Sequence, residues 1–230
     1  YERRPDRTGR SVARGRPPKN RMKWSFRVAR VSGIDIRVHV TFALILLIGA
    51  AHWGFPYGGT GAVFGVLFML ALFACVALHE LGHSLVAQRF GVSVKEILLL
   101  PIGGVARLGR EPSKPVHELL IAIAGPLVNV LIAIVLVLGS ILVLGPGWFS
   151  DGSFARAALE GPSVSTFVAS LLFSNVALAV FNMIPALPMD GGRVFRALLA
   201  MVLGKLRARL LTPSARRAVL SLNSRLTSPI

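Results

Sequence analysis

The chain has 230 residues, 53% of them hydrophobic and 16% charged, with a mean hydropathy of +0.66 and a formal net charge of +16. That is too apolar for an ordinary soluble domain and suits several bilayer-spanning helices. The charge does not mark a nucleic-acid binder: residues 1–37 hold twelve Lys and Arg against three acids, eight more basic residues follow Asp190, and the middle is apolar. A nucleic-acid binder would carry its charge on one folded face with aromatics between.

Residues 1–21, "YERRPDRTGRSVARGRPPKNR", are basic and nearly free of large apolar side chains. A disordered basic tail is predicted there, either foreign to the domain or lying near anionic lipid. "MKWSFRVARVSGIDIRVHV" from Met22 reads as a natural beginning, and a membrane core is expected over residues 22–203. Four segments in it are long enough to span a bilayer: about 38–57, 62–90, 117–144 and 163–187. The first has an apolar centre of only about twelve residues, so a signal peptide is its rival. The long basic lead and the flanking "HWGFPY" favour a retained span with interfacial aromatics.

Loop charges set an orientation. Loop 52–61 has no Lys or Arg, loop 91–116 carries Lys95, Arg107, Arg110 and Lys114, and loop 145–162 has only Arg156. The alternation predicts four spans with both termini cytoplasmic, and the excess of Arg over Lys, 21 to 5, points to a bacterial source and so to a bacterial cytoplasmic membrane. "GVSVKEILLLPIGGVARLG" between the second and third spans is β-branched around Pro101 and Gly103, which predicts a hairpin dipping into the membrane surface. "RVFRALLAMVLGKL" after Gly192 predicts an interfacial helix, with residues 204–230 a basic C-terminal tail. The expected fold is therefore an all-α polytopic membrane protein of about four transmembrane helices, with a short membrane-dipping β-hairpin and a C-terminal amphipathic helix.

The chemistry concentrates in "ACVALHELGHSLVAQRF", residues 74–90. His79 and His83 are four apart, so on a helix both rings reach one cation. Glu80 lies beside them, placed to move a proton without ligating. This is the HExxH pattern of zinc hydrolases. The bland alternative, two helix-end histidines satisfied by backbone carbonyls, conflicts with the cost of ionisable groups inside a membrane. A catalytic zinc takes a third protein ligand and leaves a position open. Asp190 in "FNMIPALPMDGGR" competes for that place: Pro185 and Pro188 bar a regular helix before it, and Gly191 and Gly192 permit unusual torsions after it. Its alternative is a surface Asp capping the following helix. Cys75, the single cysteine and one turn before His79, reads mainly as an apolar filler. His39, His52 and His117 lie at predicted span ends and read as interfacial.

These motifs, with "LLLPIGGVARL" and "AIAGPLVN", resemble the site-2 protease family of intramembrane zinc metalloproteases, in the bacterial and archaeal branch that often carries CBS domains. The resemblance runs from about Met22 to Leu203, and no CBS module follows. It implies regulated intramembrane proteolysis, the cutting of transmembrane protein substrates within the bilayer. It also implies one zinc per chain held by His79, His83 and Asp190, with Glu80 as acid/base and Asn129 near the active site. Amide donors for a developing oxyanion are expected from Asn129, Asn182 or Asn175, whose alternative is hydrogen bonding between helices. The strand edge of the hairpin offers a place for an unwound substrate segment. The rival function is a catalytically impaired membrane scaffold that binds transmembrane segments without cutting them.

Overall fold

The computed structural model describes residues 24–101, 103–109, 114–157 and 160–210. The expectations for residues 1–21 and for the end of the C-terminal tail lie outside these residues. The described chain is mostly helical, but it is not all-α. It opens with β1 (Ser25–Val31) and β2 (Ile34–His39), paired antiparallel in the register Phe26↔Val38 and Val31↔Ile34. The turn between them is Ser32–Gly33, both at positive φ (49° and 81°). That is the twist that joins two strands with a two-residue loop. β3 (Val94–Leu100) and β4 (Gly103–Leu108) form the expected hairpin, yet β3 also pairs in parallel with β2. The result is one sheet in the order β1-β2-β3-β4. A parallel pair needs a long crossover connection, and everything between His39 and Val94 supplies it.

That crossover is α1 (Phe42–Arg89), which folds back on itself at Gly58 (φ 65°, ψ −151°), a backbone conformation that only glycine adopts readily. The Phe42 and Phe73 rings stand 4.5 Å apart, although a straight helix would hold them roughly 46 Å apart at ~1.5 Å per residue. Trp53 likewise meets Phe64 at 4.5 Å. Gly49 and Gly65 face each other where the two arms cross, and a side chain on either would run into the other's backbone. Small residues at a crossing let two apolar helices approach closely. The turn thus falls inside the loop expected at 52–61, and the first arm begins at Phe42 because residues 34–39 are strand.

α2 (Pro115–Leu144) follows, with Pro at its first position, where a missing N–H costs nothing. The loop expected at 145–162 contains a 3-10 turn, Pro146–Phe149, and the short α3 (Ser153–Ala157). Trp148, Phe149 and Phe154 cluster there and bury Trp148 against Ala169. α4 (Val164–Asn182) starts at Ser163, whose hydroxyl accepts from the Thr166 N–H, an N-cap. α5 (Asp190–Leu210) ends the described chain and runs through the boundary expected at residue 203.

Three of these helices, α1, α2 and α4, are long and apolar enough to cross a membrane. Their outward side chains are accordingly greasy, as at Leu47, Leu131, Leu142 and Phe173. The interior apolar cluster joins the sheet (Ile34, Val94, Ile97, Leu99) to Ala87 on the second arm of α1 and Ile121 on α2. This packing fixes the last turns of α1 between sheet and helix, and those turns carry the histidines.

Candidate metal centre

His79 and His83 are one helical turn apart on the second arm of α1, both buried. Their Nε2 atoms stand 3.1 Å apart. The Oδ2 of Asp190 lies 3.2 Å from the first and 3.1 Å from the second. Ligand atoms at the corners of a zinc tetrahedron with bonds of ~2.0–2.1 Å lie roughly 3.3–3.4 Å from one another. The triangle is close to that size.

The far sides of the rings decide what the triangle is for. His83 Nδ1 is 2.6 Å from the carbonyl oxygen of Ile121, an atom that can only accept. His79 Nδ1 is 2.5 Å from Asn129 Oδ1, and the Asn129 amide is oriented by donating through Nδ2 to Asn175 Oδ1 at 3.0 Å. Both Nδ1 atoms therefore carry the hydrogen, and in neutral rings both Nε2 atoms present lone pairs. Two lone pairs and a carboxylate oxygen within about 3 Å repel unless a cation sits among them. The donor set of two imidazoles and one carboxylate, with room for a further ligand, suits zinc.

Asp190 reaches the site from the opposite side of the chain. α4 stops at Asn182, and Pro185 and Pro188 keep residues 183–189 out of a helix, as expected. Asp190 is the first residue of α5 and not part of the loop before it; a carboxylate is favoured at that helix end. The glycines after it act by size. Gly191 and Gly192 are helical, and a side chain on either would strike the backbone of Met183, Ile184 or Ala186, so their small size lets the loop fold against the start of α5.

Gly125 on α2 makes room for the rings. A methyl group there would overlap the Nε2 atoms of both histidines. Glu80 lines the cavity of about 560 Å³ that opens beside the triangle, together with Gly104, Asn182, Pro188 and Arg193. Gly104 on β4 is pressed against the Glu80 side chain, and a Cβ there would collide with it. The hairpin thus roofs the acid.

The amides take different places. Asn129, fully buried, sits behind His79 with both ends of its amide engaged, so it does not face the cavity as an oxyanion donor would. Asn182 is on the cavity wall, its Nδ2 donating to the Leu178 carbonyl at 3.0 Å. Cys75 is buried and contacts Asn175 Nδ2 at 3.4 Å, outside the ligand triangle. His39 pairs with Thr41, His52 packs on Trp53, and His117 stacks on Phe90; none reaches the site. In the sequence Gly104 is visible only as part of the hairpin turn and Gly125 only within "AIAGPLVN"; their contacts, like that of the Ile121 carbonyl, run through backbone that only the packed fold brings near.

The profile of peptidase family M50 matches residues 67–222. A zinc metalloprotease of Methanocaldococcus jannaschii is 42% identical over 187 residues, which is 81% of this chain and 49% of that protein. A protein of Synechocystis sp. with a zinc metalloprotease name is 37% identical over 190 residues, 80% of this chain and 46% of its own length. This chain therefore spans about half the length of the curated relatives it matches. Among solved structures, a site-2 protease from Methanocaldococcus jannaschii superposes with a TM-score of 0.54 at 37% identity, covering 77% of this chain and 73% of that one. The chain belongs to peptidase family M50, the site-2 protease family.

Proposed function

We propose that the protein is a zinc metalloendopeptidase that hydrolyses peptide bonds within or near transmembrane segments of membrane-protein substrates. The observation that carries this reading is the convergence of His79 Nε2, His83 Nε2 and Asp190 Oδ2 with both Nδ1 atoms committed elsewhere. Zinc bound there would supply Lewis acidity and a water activated near neutral pH. Glu80 takes the proton of the attacking water and returns it to the leaving amine. Asn182, from the cavity wall, is the amide donor best placed to face a developing oxyanion, while Asn129 holds the His79 ring.

The substrate class follows from the surroundings. An apolar groove of about 510 Å³, with Leu72, Phe173 and Phe181 on its walls, shares Val76, Gly103, Leu178, Asn182 and Met189 with the catalytic cavity. A hydrophobic segment lying in the groove would run directly into the site. A helical segment must unwind before its amide can be attacked. Among the described residues β4 is an edge strand of the sheet and carries Gly104 over Glu80, so it offers backbone groups to a strand at the place of reaction.

The two arms of α1 together with α2 and α4 make four crossings of the bilayer in this reading, with both chain ends on the cytoplasmic side, the hairpin dipping into the surface and α5 lying along it. α5 suits that position: Phe195, Leu198, Leu199 and Val202 are exposed along it. The test is a cleavage assay on purified full chain in detergent with a model transmembrane substrate. Cleavage that stops with a chelator, returns with zinc and is lost in Glu80→Gln supports the reading. Zinc-loaded Glu80→Gln that cuts as fast as the unmodified protein removes Glu80 from it.

A further inference from the structure

Behind His79 runs a buried chain of amides that crosses three helices. Asn175 on α4 donates through Nδ2 to the carbonyl of Leu171 at 2.8 Å, with Cys75 Sγ of α1 also 3.4 Å from that nitrogen. Its Oδ1 accepts from Asn129 Nδ2 of α2 at 3.0 Å. Asn129 Oδ1 in turn faces His79 Nδ1 at 2.5 Å. Both amides are fully buried, so no bulk water is at hand to repair a reversed bond.

The direction of every bond in this chain is fixed from its far end. The Leu171 carbonyl can only accept, so Asn175 must turn its nitrogen toward it and its oxygen toward Asn129. Facing that oxygen, Asn129 must donate, which turns its own oxygen to the ring. The ring then carries hydrogen on Nδ1 and leaves the Nε2 lone pair for the cation. Asn129 alone would not settle this, since its amide could reverse and offer N–H to a ring protonated on Nε2.

We propose that Asn175, two hydrogen bonds removed from the ring, is a positioning residue that selects the metal-ligating tautomer of His79. The inference rests on the metal-site reading above, but its direct readout does not. In the full chain, Asn175→Leu removes the acceptor that orients Asn129 and keeps a similar volume. Asn175→Asp keeps an acceptor facing Asn129, whether ionised or protonated.

The measurements are zinc affinity by chelator competition and the His79 ring ¹⁵N shifts of metal-free protein. Expected for Asn175→Leu are a zinc affinity about 10–100-fold weaker, the usual effect of losing an outer partner of a ligand, and a shift of His79 toward the Nε2–H tautomer. Asn175→Asp stays close to the unmodified protein on both readouts. Adding Asn129→Asp to Asn175→Leu restores both, because a carboxylate cannot reverse into a donor amide. Asn175→Ala carries the same expectation where the leucine variant does not fold. An Asn175→Leu protein that keeps the Nδ1–H tautomer, or a double variant that recovers neither readout, overturns the proposal. Failure of the unmodified protein to take up zinc would instead sink the metal reading, while the metal-free tautomer still tests Asn175.

Discussion

Arg196 on α5 holds the Glu118 carboxylate on α2 through both Nε, at 2.8 Å, and Nη2. The bond ties the helix that begins with Asp190 to α2, whose Ile121 carbonyl and Gly125 lie against the two histidines, so the carboxylate and the packing behind the rings are linked outside the cavity. Arg196 is about half exposed and Glu118 mostly covered, so the pair contributes at most about 1 kcal/mol to stability. Its larger effect is on geometry. Arg196→Ala is expected to weaken zinc binding by about two- to fivefold with little loss of thermal stability, read by chelator competition and a melting curve on the same sample.

Gly125→Ala tests the room given to the rings. The added methyl would occupy the space of both Nε2 atoms, so the rings would have to shift out of the ligand triangle. Zinc affinity should fall by more than about tenfold, comparable to or beyond the loss of an outer ligand partner. Zinc content after dialysis against a weak chelator is the measurement, with the circular dichroism spectrum confirming an intact helical fold.

Gly104→Ala separates catalysis from metal binding. Its Cβ would push the Glu80 side chain from its seat beneath β4, the three nearest atoms all belonging to Glu80. Cleavage is expected to drop by about a hundredfold, as for a catalytic group displaced by roughly 1 Å, while zinc stoichiometry stays at one. Equal loss of zinc and of turnover would mean that the hairpin supports the ligands and not the acid.

Asp190→Asn keeps size and hydrogen-bonding reach but removes the negative charge. A neutral amide oxygen is a poorer ligand for a divalent cation than a carboxylate oxygen. Zinc retention should fall by about tenfold or more, and unchanged stoichiometry and affinity would take Asp190 out of the ligand set.

The local parts of the site were legible in the sequence. His79 and His83 share a helix face by spacing alone, and Pro185 and Pro188 announce the break that delivers Asp190. What lay across helices was not legible: the Asn129–Asn175 bond joins residues forty-six positions apart, and no periodicity records which amide faces which. Asn129 was one of three candidate oxyanion amides with hydrogen bonding between helices as its alternative, and it makes such a bond, to Asn175, behind the His79 ring. The β1–β2 pair was missed because residues 25–39 run straight into an apolar helix, although "SG" at 32–33 between alternating residues was a turn signal in plain view. The hairpin at 94–108 was found from its β-branched runs. Its parallel partner β2, some sixty residues earlier, depends on a crossover that only the folded α1 reveals.

The most direct test of the account is X-ray absorption at the zinc edge on the purified, zinc-loaded full chain, with the metal quantified in the same sample. One zinc per chain with two imidazole nitrogens and oxygen ligands at about 2.0–2.1 Å is the predicted result. The imidazole count should drop to one in His83→Ala. A sulfur ligand, which only Cys75 or a methionine could provide, or an unmodified protein that takes up no zinc, would contradict it.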